Sequence, residues 1–495
     1  MRVGGDRKTF GWERRASVKN SCARGRATMD PLIIFSGDGH IGQPYDGYRD
    51  YIDPAYRDRL NDLAEIQEFF GSVVFGAMDK LPADVRQVID ERGVRSGVPE
   101  VFWDVDKRVA ELDAEGIACE LVLADSSLAP FFSSLGDAYP APLRSAGSRA
   151  FNRWAGDFLG AAGGRIVGNA EIYPDDIAGT VADLPKLAEQ GFVSITLPGA
   201  NADDSLPTLE SPEYEPLWAT CAELGLGLSV HAGWGRPQGA AMQFFRQLAD
   251  TGKSANMMAP EEGAATDSGE TLEALERLQK EKKIDAKNPD SPLALTLHPQ
   301  QALWRLMLSG VFDRYPSLQL VLTEVRADWV PATLKYLDQR FAEHPGTCKL
   351  KPSEYYERNC AVTPSAPHRA EIEMLDQIGV SKFMFGADIP HPESTWPNSR
   401  QWIKDAFRGV PEDQLRTVLG ENAIRVYHLD RAALEKTAAR LAITPEVLFS
   451  GGALDDRLLA NFDARAGYRR PADEVDTERI GRELDGDFAR LTNAR

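Results

Sequence analysis

Residues 32–40 read LIIFSGDGH. An apolar run ends in Gly37-Asp38-Gly39-His40. A short run that is apolar at successive positions is what a strand covered on both faces requires. Seven comparable runs follow, at 119–124, 166–171, 192–197, 227–231, 319–324, 358–362 and 382–386. Helical patterns lie between many of them. In 105–115 (VDKRVAELDAE), Val105, Val109 and Leu112 share one face; 301–312 (QALWRLMLSGVF) is a second example. Eight strands alternating with helices predict an α/β fold, a (β/α)8 TIM barrel. The competitor is a doubly wound open sheet. That fold usually carries a glycine-rich phosphate turn after its first strand, and no such turn is expected here.

The chain has 495 residues, 56 Lys and Arg against 75 Asp and Glu, and a formal charge of −19. A field of that sign repels phosphate backbones, so no nucleic-acid partner is expected. There is no run of eighteen apolar residues, which excludes a membrane-spanning helix. The charge is uneven. Residues 1–28 hold eight basic and two acidic side chains, leaving the rest at −25. Residues 1–30 are expected to form a disordered basic leader ahead of a natural start at Met29, since they lack the apolar core of a secretory signal. The five cysteines form no C-x-x-C pair, which argues against a disulfide framework and a thiolate zinc site. A cytoplasmic location follows as the expectation.

Two stretches break the alternation. Residues 235–292 form a long polar insertion, with an amphipathic helix expected at 271–284; loops of this length usually act as lids or are disordered. Residues 431–495 carry helical and charged patterns and are expected to form a helical extension. A homodimer is expected, with that extension across the interface. The barrel itself is assigned to 31–430.

Four places put a metal-binding side chain at the carboxyl end of a predicted strand. Asp38 and His40 stand two residues apart, so both face the same way from an extended segment. His231 closes GLGLSVH (225–231). His298 lies in LALTLHPQQALW (293–304). Asp388 lies in FMFGADIPH (383–391), with His391 three residues on. In a barrel these ends open on one rim. Each piece alone is commonplace, but four of only seven histidines fall at such positions.

The stretches SGDGHIGQP (36–44), RVAELDAEGIACELVL (108–123), SGVFDRYPSLQLVLTEVRADWVPATLKYLD (309–338), FGADIPHPESTWPNS (385–399) and LGENAIRVYHLD (419–430) resemble the amidohydrolase-related branch of the amidohydrolase superfamily. That branch also contains the aminocarboxymuconate-semialdehyde and resorcylate decarboxylases. The resemblance covers about 31–430. It implies a barrel holding one divalent metal, with Asp38, His40, His231 and Asp388 as ligands. It places His298 beside the metal-bound water, Glu324 on the same rim and His391 behind the ligands. Many members begin with His-x-His; here the first ligand is an aspartate. Two carboxylates and two neutral imidazoles give a formally neutral centre around a dication, which suits Mn2+ somewhat better, though Zn2+ is the first expectation. The fourth predicted strand, FVSITLP (192–198), has no lysine, which argues against a carbamate-bridged two-metal site.

The expected activity is metal-dependent hydrolysis of a small amide, ester or lactone, with Asp388 and His298 as catalytic groups. The alternative is non-oxidative decarboxylation of an aromatic or unsaturated acid, with Arg326 as the group that would hold a carboxylate. A non-catalytic metal- or partner-binding barrel is the third reading. Tyr45, Tyr48 and Tyr51 are read as possible lining for an aromatic substrate, and Trp396 and Asn398 as a possible pocket wall.

Overall fold

The computed structural model describes residues 30–64, 67, 100–131, 139–173, 175–198, 207–232, 297–343, 348–391, 394–456, 458–459, 462 and 477–493. The basic leader, the 235–292 insertion with its expected helix, Cys22 and His344 lie outside them.

The strands are β1 (Phe35–Ser36), β2 (His40–Ile41), β3 (Cys119–Ala124), β4 (Ile166–Ala170), β5 (Phe192–Thr196), β6 (Gly227–His231), β7 (Leu320–Thr323) and β8 (Cys360–Thr363). All pairings are parallel, in the order β1-β3-β4-β5-β6-β7-β8, with β2 also on β3. β1 and β2 are one barrel strand interrupted at residues 37–39. Segment 383–389 closes the ring. It bridges Val362 to Phe383 and Ser365 to Gly386 on one side, and Gly39 to Ile389 on the other. The fold is a (β/α)8 barrel.

Gly37, Gly39 and Gly42 do stand at G-x-G-x-x-G spacing after the first strand, which corrects the expectation that such a turn is lacking. The segment continues as β2 rather than opening a helix on a phosphate, and ring closure rules out the open sheet.

Helices α1 (Val105–Glu115), α2 (Ala141–Ala161), α3 (Ile177–Glu189), α4 (Glu215–Leu224), α5 (Leu297–Leu308), α6 (Val330–Glu343) and α7 (Pro352–Asn359) occupy the crossovers. Helix α1 shows why they stop and start where they do. Asp104 caps its first turn by accepting from the Lys107 amide at 3.1 Å, and Gly116 ends it in the left-handed region at φ 79°. Several strands are shorter than expected, β1 starting at Phe35 and β7 spanning Leu320–Thr323, and the run at 382–386 is joined by isolated bridges rather than a strand ladder. Helix α5 begins four residues earlier than expected and ends before Gly310, whose φ of 72° breaks the run. Arg358 and Asn359 belong to α7, so β8 starts at Cys360.

The barrel interior has two layers. Toward the amino ends, Phe35, Cys119, Leu121, Val321, Ala361 and Met384 pack together with Tyr427 beneath them. Toward the carboxyl ends, the inward residues turn polar. The Asn169 amide donates to Ser194 Oγ at 2.7 Å, Thr196 donates to Glu171 at 2.7 Å, and Ser229 lies 3.3 Å from Thr323.

Beyond the barrel, α8 (Arg431–Leu441) and α9 (Thr477–Asn493) are helical. Asp487 on α9 accepts from Trp304 at 2.9 Å and from Arg305 at 2.8 Å, both on α5, so α9 is tied to its own chain. Cys119, Cys221 and Cys360 are buried free thiols. No helix among the described residues is long and apolar enough to cross a membrane.

Candidate metal centre

The strand ends converge as the ring demands. The junction of β1 and β2, the end of β6 and the residue after β7 bring one ligand atom each from Asp38, His40, His231 and Glu324 within 4.8 Å of one another, and a second group shares the His40 ring with Asp388, from segment 383–389, and His391 just beyond it. His40 Nε2 stands 3.5 Å from Asp38 Oδ1 and 3.2 Å from Asp388 Oδ1. His231 Nε2 stands 3.6 Å from Asp38 Oδ1 and 2.8 Å from Glu324 Oε2. The His40 and His231 rings meet edge to face with centroids 5.0 Å apart, and His391 stacks on His40 at 4.1 Å.

Backbone conformation aims the two late acids. Glu324 (φ 56°) and Asp388 (φ 63°) both follow their strands in the left-handed region. A non-glycine residue there costs of order 1–3 kcal/mol, a cost seen chiefly at functional sites. Asp388 is held by its amide, which donates to the Asp38 carbonyl at 2.8 Å; the Glu324 amide donates to the Thr363 carbonyl at 3.0 Å. Ser365 donates to Asp38 Oδ2. Among the described residues, Asp38 Oδ1 and both ring nitrogens of His40 are buried with no hydrogen-bond partner. Orphaned buried oxygen and imidazole atoms converging on one point are costly unless something binds there, and a divalent cation fits this donor set.

The surroundings are strongly acidic. Burial works against a charged His231, but Glu324 and Asp38 outweigh it and hold the imidazole well above its ordinary value. Burial also opposes charge on Asp125, yet its bond to His391 and the neighbouring His40 keep it below the usual carboxylate range. Burial pushes Glu171, at the end of β4, up to about 7, with Thr196 and His231 opposing.

Asp38, His40, His231, Asp388 and His391, all singled out from sequence, are thus brought together, and Glu324, expected on the same rim, stands within the group of potential ligand atoms. His391 bridges two acids, with Nδ1 3.0 Å from Asp388 Oδ1 and Nε2 3.0 Å from Asp125 Oδ2. His298 occupies the first turn of α5 rather than preceding the helix; its side chain lies outside the described residues. Arg326 Nε donates to Asp328 at 3.1 Å, so its guanidinium is already engaged by a neighbour. Tyr48 is core: it is fully buried with its ring edge on Trp154 at 5.7 Å. Trp396 is also buried, and its Nε1 donates to Glu111 at 2.8 Å.

Sequence reading missed Asp125, Ser365, Glu171 and the buried pair Arg108–Glu120. Asp125 directly follows β3, as Glu324 follows β7, and could have been found by that signal. Arg108 sits in the first turn of α1, where nothing local distinguishes it from a solvated arginine.

A family model described as Amidohydrolase matches residues 102–429, about two thirds of the chain. A γ-resorcylate decarboxylase from Rhodococcus jostii is 31% identical over 135 residues, 26% of this chain and 39% of the relative. One from a Polaromonas species is 26% identical over 133 residues, again 26% and 39%. This chain therefore aligns with well under half the length of either relative. Among solved structures, an amidohydrolase from Mycobacterium avium subsp. paratuberculosis superposes with a TM-score of 0.55 at 17% identity, covering 80% of this chain and 99% of that one. A 5-carboxyvanillate decarboxylase from Novosphingobium aromaticivorans with bound manganese gives 0.52 at 16% identity, covering 80% and 97%. A dihydroxybenzoic acid decarboxylase from Polaromonas, holding manganese and 2-nitroresorcinol, gives 0.51 at 16% identity, covering 81% and 99%. These likenesses support the barrel, and the match across 102–429 settles the lineage: the chain belongs to the amidohydrolase family.

Proposed function

We propose that the protein is a metal-dependent, non-oxidative decarboxylase of a hydroxylated aromatic or related unsaturated acid. The observation that carries this reading is the pairing of a carboxylate-rich donor cluster with sequence relatives that are γ-resorcylate decarboxylases. It takes the place of hydrolysis, the first expectation from sequence.

The donor set supports that preference. Asp38 and Glu324 stand in one group of potential ligands and Asp388 in a second that shares the His40 ring; around a dication the centre would be neutral while Asp388 carries the proton it is to donate, and formally −1 with all three acids ionised. Such a centre acidifies water less than a neutral one, which weakens the case for hydrolysis. It also suits an oxygen-preferring cation such as Mn2+ above Zn2+. When bound by Asp38, His40, His231 and the neighbouring acids, the ion would supply a Lewis acid that anchors the substrate's oxygens.

The chain's own groups account for the proton. Decarboxylation breaks the bond between ring and carboxylate; the electron pair stays on the ring carbon, CO2 departs, and one proton must be delivered to that carbon. Asp388 is the proposed donor. His391 Nδ1 lies 3.0 Å from its Oδ1 and can restore the proton, while Asp125 fixes the far side of the ring at 3.0 Å. Arg326, engaged by Asp328, is a weaker candidate for the substrate carboxylate than it looked from sequence. His298 keeps its proposed place as a further acid–base group.

The test is a panel assay of the purified chain reconstituted separately with Mn2+ and Zn2+. Hydroxybenzoates, a vanillate carboxylic acid, amides, esters and lactones are offered. Release of CO2 with formation of the matching phenol supports the reading. Turnover confined to the esters, amides or lactones restores hydrolysis.

A further inference from the structure

Behind the cluster lies an ion pair that neither the ligand set nor the proton route uses. Arg108 on α1 and Glu120 on β3 are both 0% exposed, and Arg108 Nε donates to Glu120 Oε2 at 2.8 Å. The rest of the guanidinium is spent on backbone. Nη1 donates to the His40 carbonyl at 3.2 Å and the Val101 carbonyl at 3.4 Å; Nη2 donates to the Ile389 carbonyl at 2.8 Å. His40 is a candidate ligand, and Ile389 directly follows another. The fit is close: a Cβ on Gly39 would stand 2.3 Å from Glu120 Oε1 and 2.7 Å from Arg108 Nη2.

We propose that Arg108, oriented by Glu120, is a positioning residue that sets the distance between the His40 and Asp388 ligands by clamping the His40 and Ile389 carbonyls where the barrel's first and last strands meet. The inference rests on the metal-centre reading above. Three arguments support it. The planar fork of arginine presents several donors in a fixed geometry, which lysine cannot reproduce. A buried ion pair is a poor device for stability alone, because apolar residues of similar volume often do as well. Electrostatics alone also gives no reason for the pair, since it is formally neutral, and removing only its cation would strengthen the attraction for a metal ion rather than weaken it. Geometry is the contribution left.

That opposition makes the test sharp. The full-length chain is stripped with chelator and titrated with Mn2+ by calorimetry, with metal-free thermal unfolding measured in parallel. The variants are Arg108→Met, Arg108→Lys and Glu120→Gln. Loss of an outer partner of this kind weakens metal binding by about 10–100-fold. Arg108→Met and Glu120→Gln are each expected to fall in that range, with Arg108→Lys between them and the unsubstituted chain. Folded Arg108→Met protein that binds Mn2+ as tightly as the parent, or more tightly, overturns the proposal. If Arg108→Met does not fold, Arg108→Lys decides: parental affinity overturns the proposal and weakened affinity upholds it. An unsubstituted chain that binds no Mn2+ overturns the metal-centre reading and this inference with it.

Discussion

The two ends of the barrel interior are built on opposite principles. At the amino ends, Leu121, Val321 and Met384 are 0% exposed and apolar. At the carboxyl ends the buried positions are Asp38, His40, Glu324 and Asp388, two of them in a left-handed backbone conformation. Burial stabilises the first layer by roughly 1.5–3 kcal/mol per large side chain. It penalises the second until a cation compensates its charges. Stability and function are therefore separable along the strands, and substitutions should divide accordingly.

The largest effect is expected at the acidic end. Asp388→Asn should lower turnover by roughly 10²–10⁴-fold, the range for loss of a general acid. Its metal-free melting temperature should stay close to the parent's, because Asn tolerates the left-handed conformation. A comparable loss of turnover with a large fall in melting temperature would blur the division. The mirror experiment is Leu121→Ala, expected to cost about 2–5 kcal/mol in denaturant unfolding while leaving turnover per folded molecule intact.

The sequence displayed this division only in part. The barrel's staves were legible because most are short, largely apolar runs, and most candidate ligands were legible because a His or Asp closes such a run. Glu324 closes one too, but its place among the ligand atoms depends on a left-handed turn that no local pattern specifies. Arg108 was illegible for a different reason. Its partners are His40 and Ile389, 68 and 281 residues away, and only barrel closure brings them together. Tyr48 misled in the opposite direction: a tyrosine in a rim loop looks like pocket lining, yet its ring fills the space beside Trp154.

A smaller effect is expected at Ser365, which donates to Asp38 Oδ2 and leaves Oδ1 toward the cluster. Ser365→Ala should weaken Mn2+ affinity by about tenfold, at the low end for an outer partner. The smallest effect concerns pH. Glu171 is raised by burial to about 7, from an ordinary 4.5. The folded state then binds more protons than the unfolded state between those values, so this group's contribution lowers stability as pH rises through that window. Glu171→Gln in chelator-treated protein should therefore shrink the difference in melting temperature between pH 5 and pH 8. An unchanged difference would place that carboxyl outside the penalised layer.

The central claim is that the carboxyl-end cluster serves decarboxylation. The most direct measurement offers the Mn2+-loaded chain 2,6-dihydroxybenzoate carrying a carboxyl carbon label, in D2O. The account predicts labelled CO2 and one deuterium on the ring carbon that held the carboxylate, both abolished by Asp388→Asn. Unchanged substrate across the hydroxybenzoates, beside steady hydrolysis of a lactone or amide by the same preparation, would contradict it.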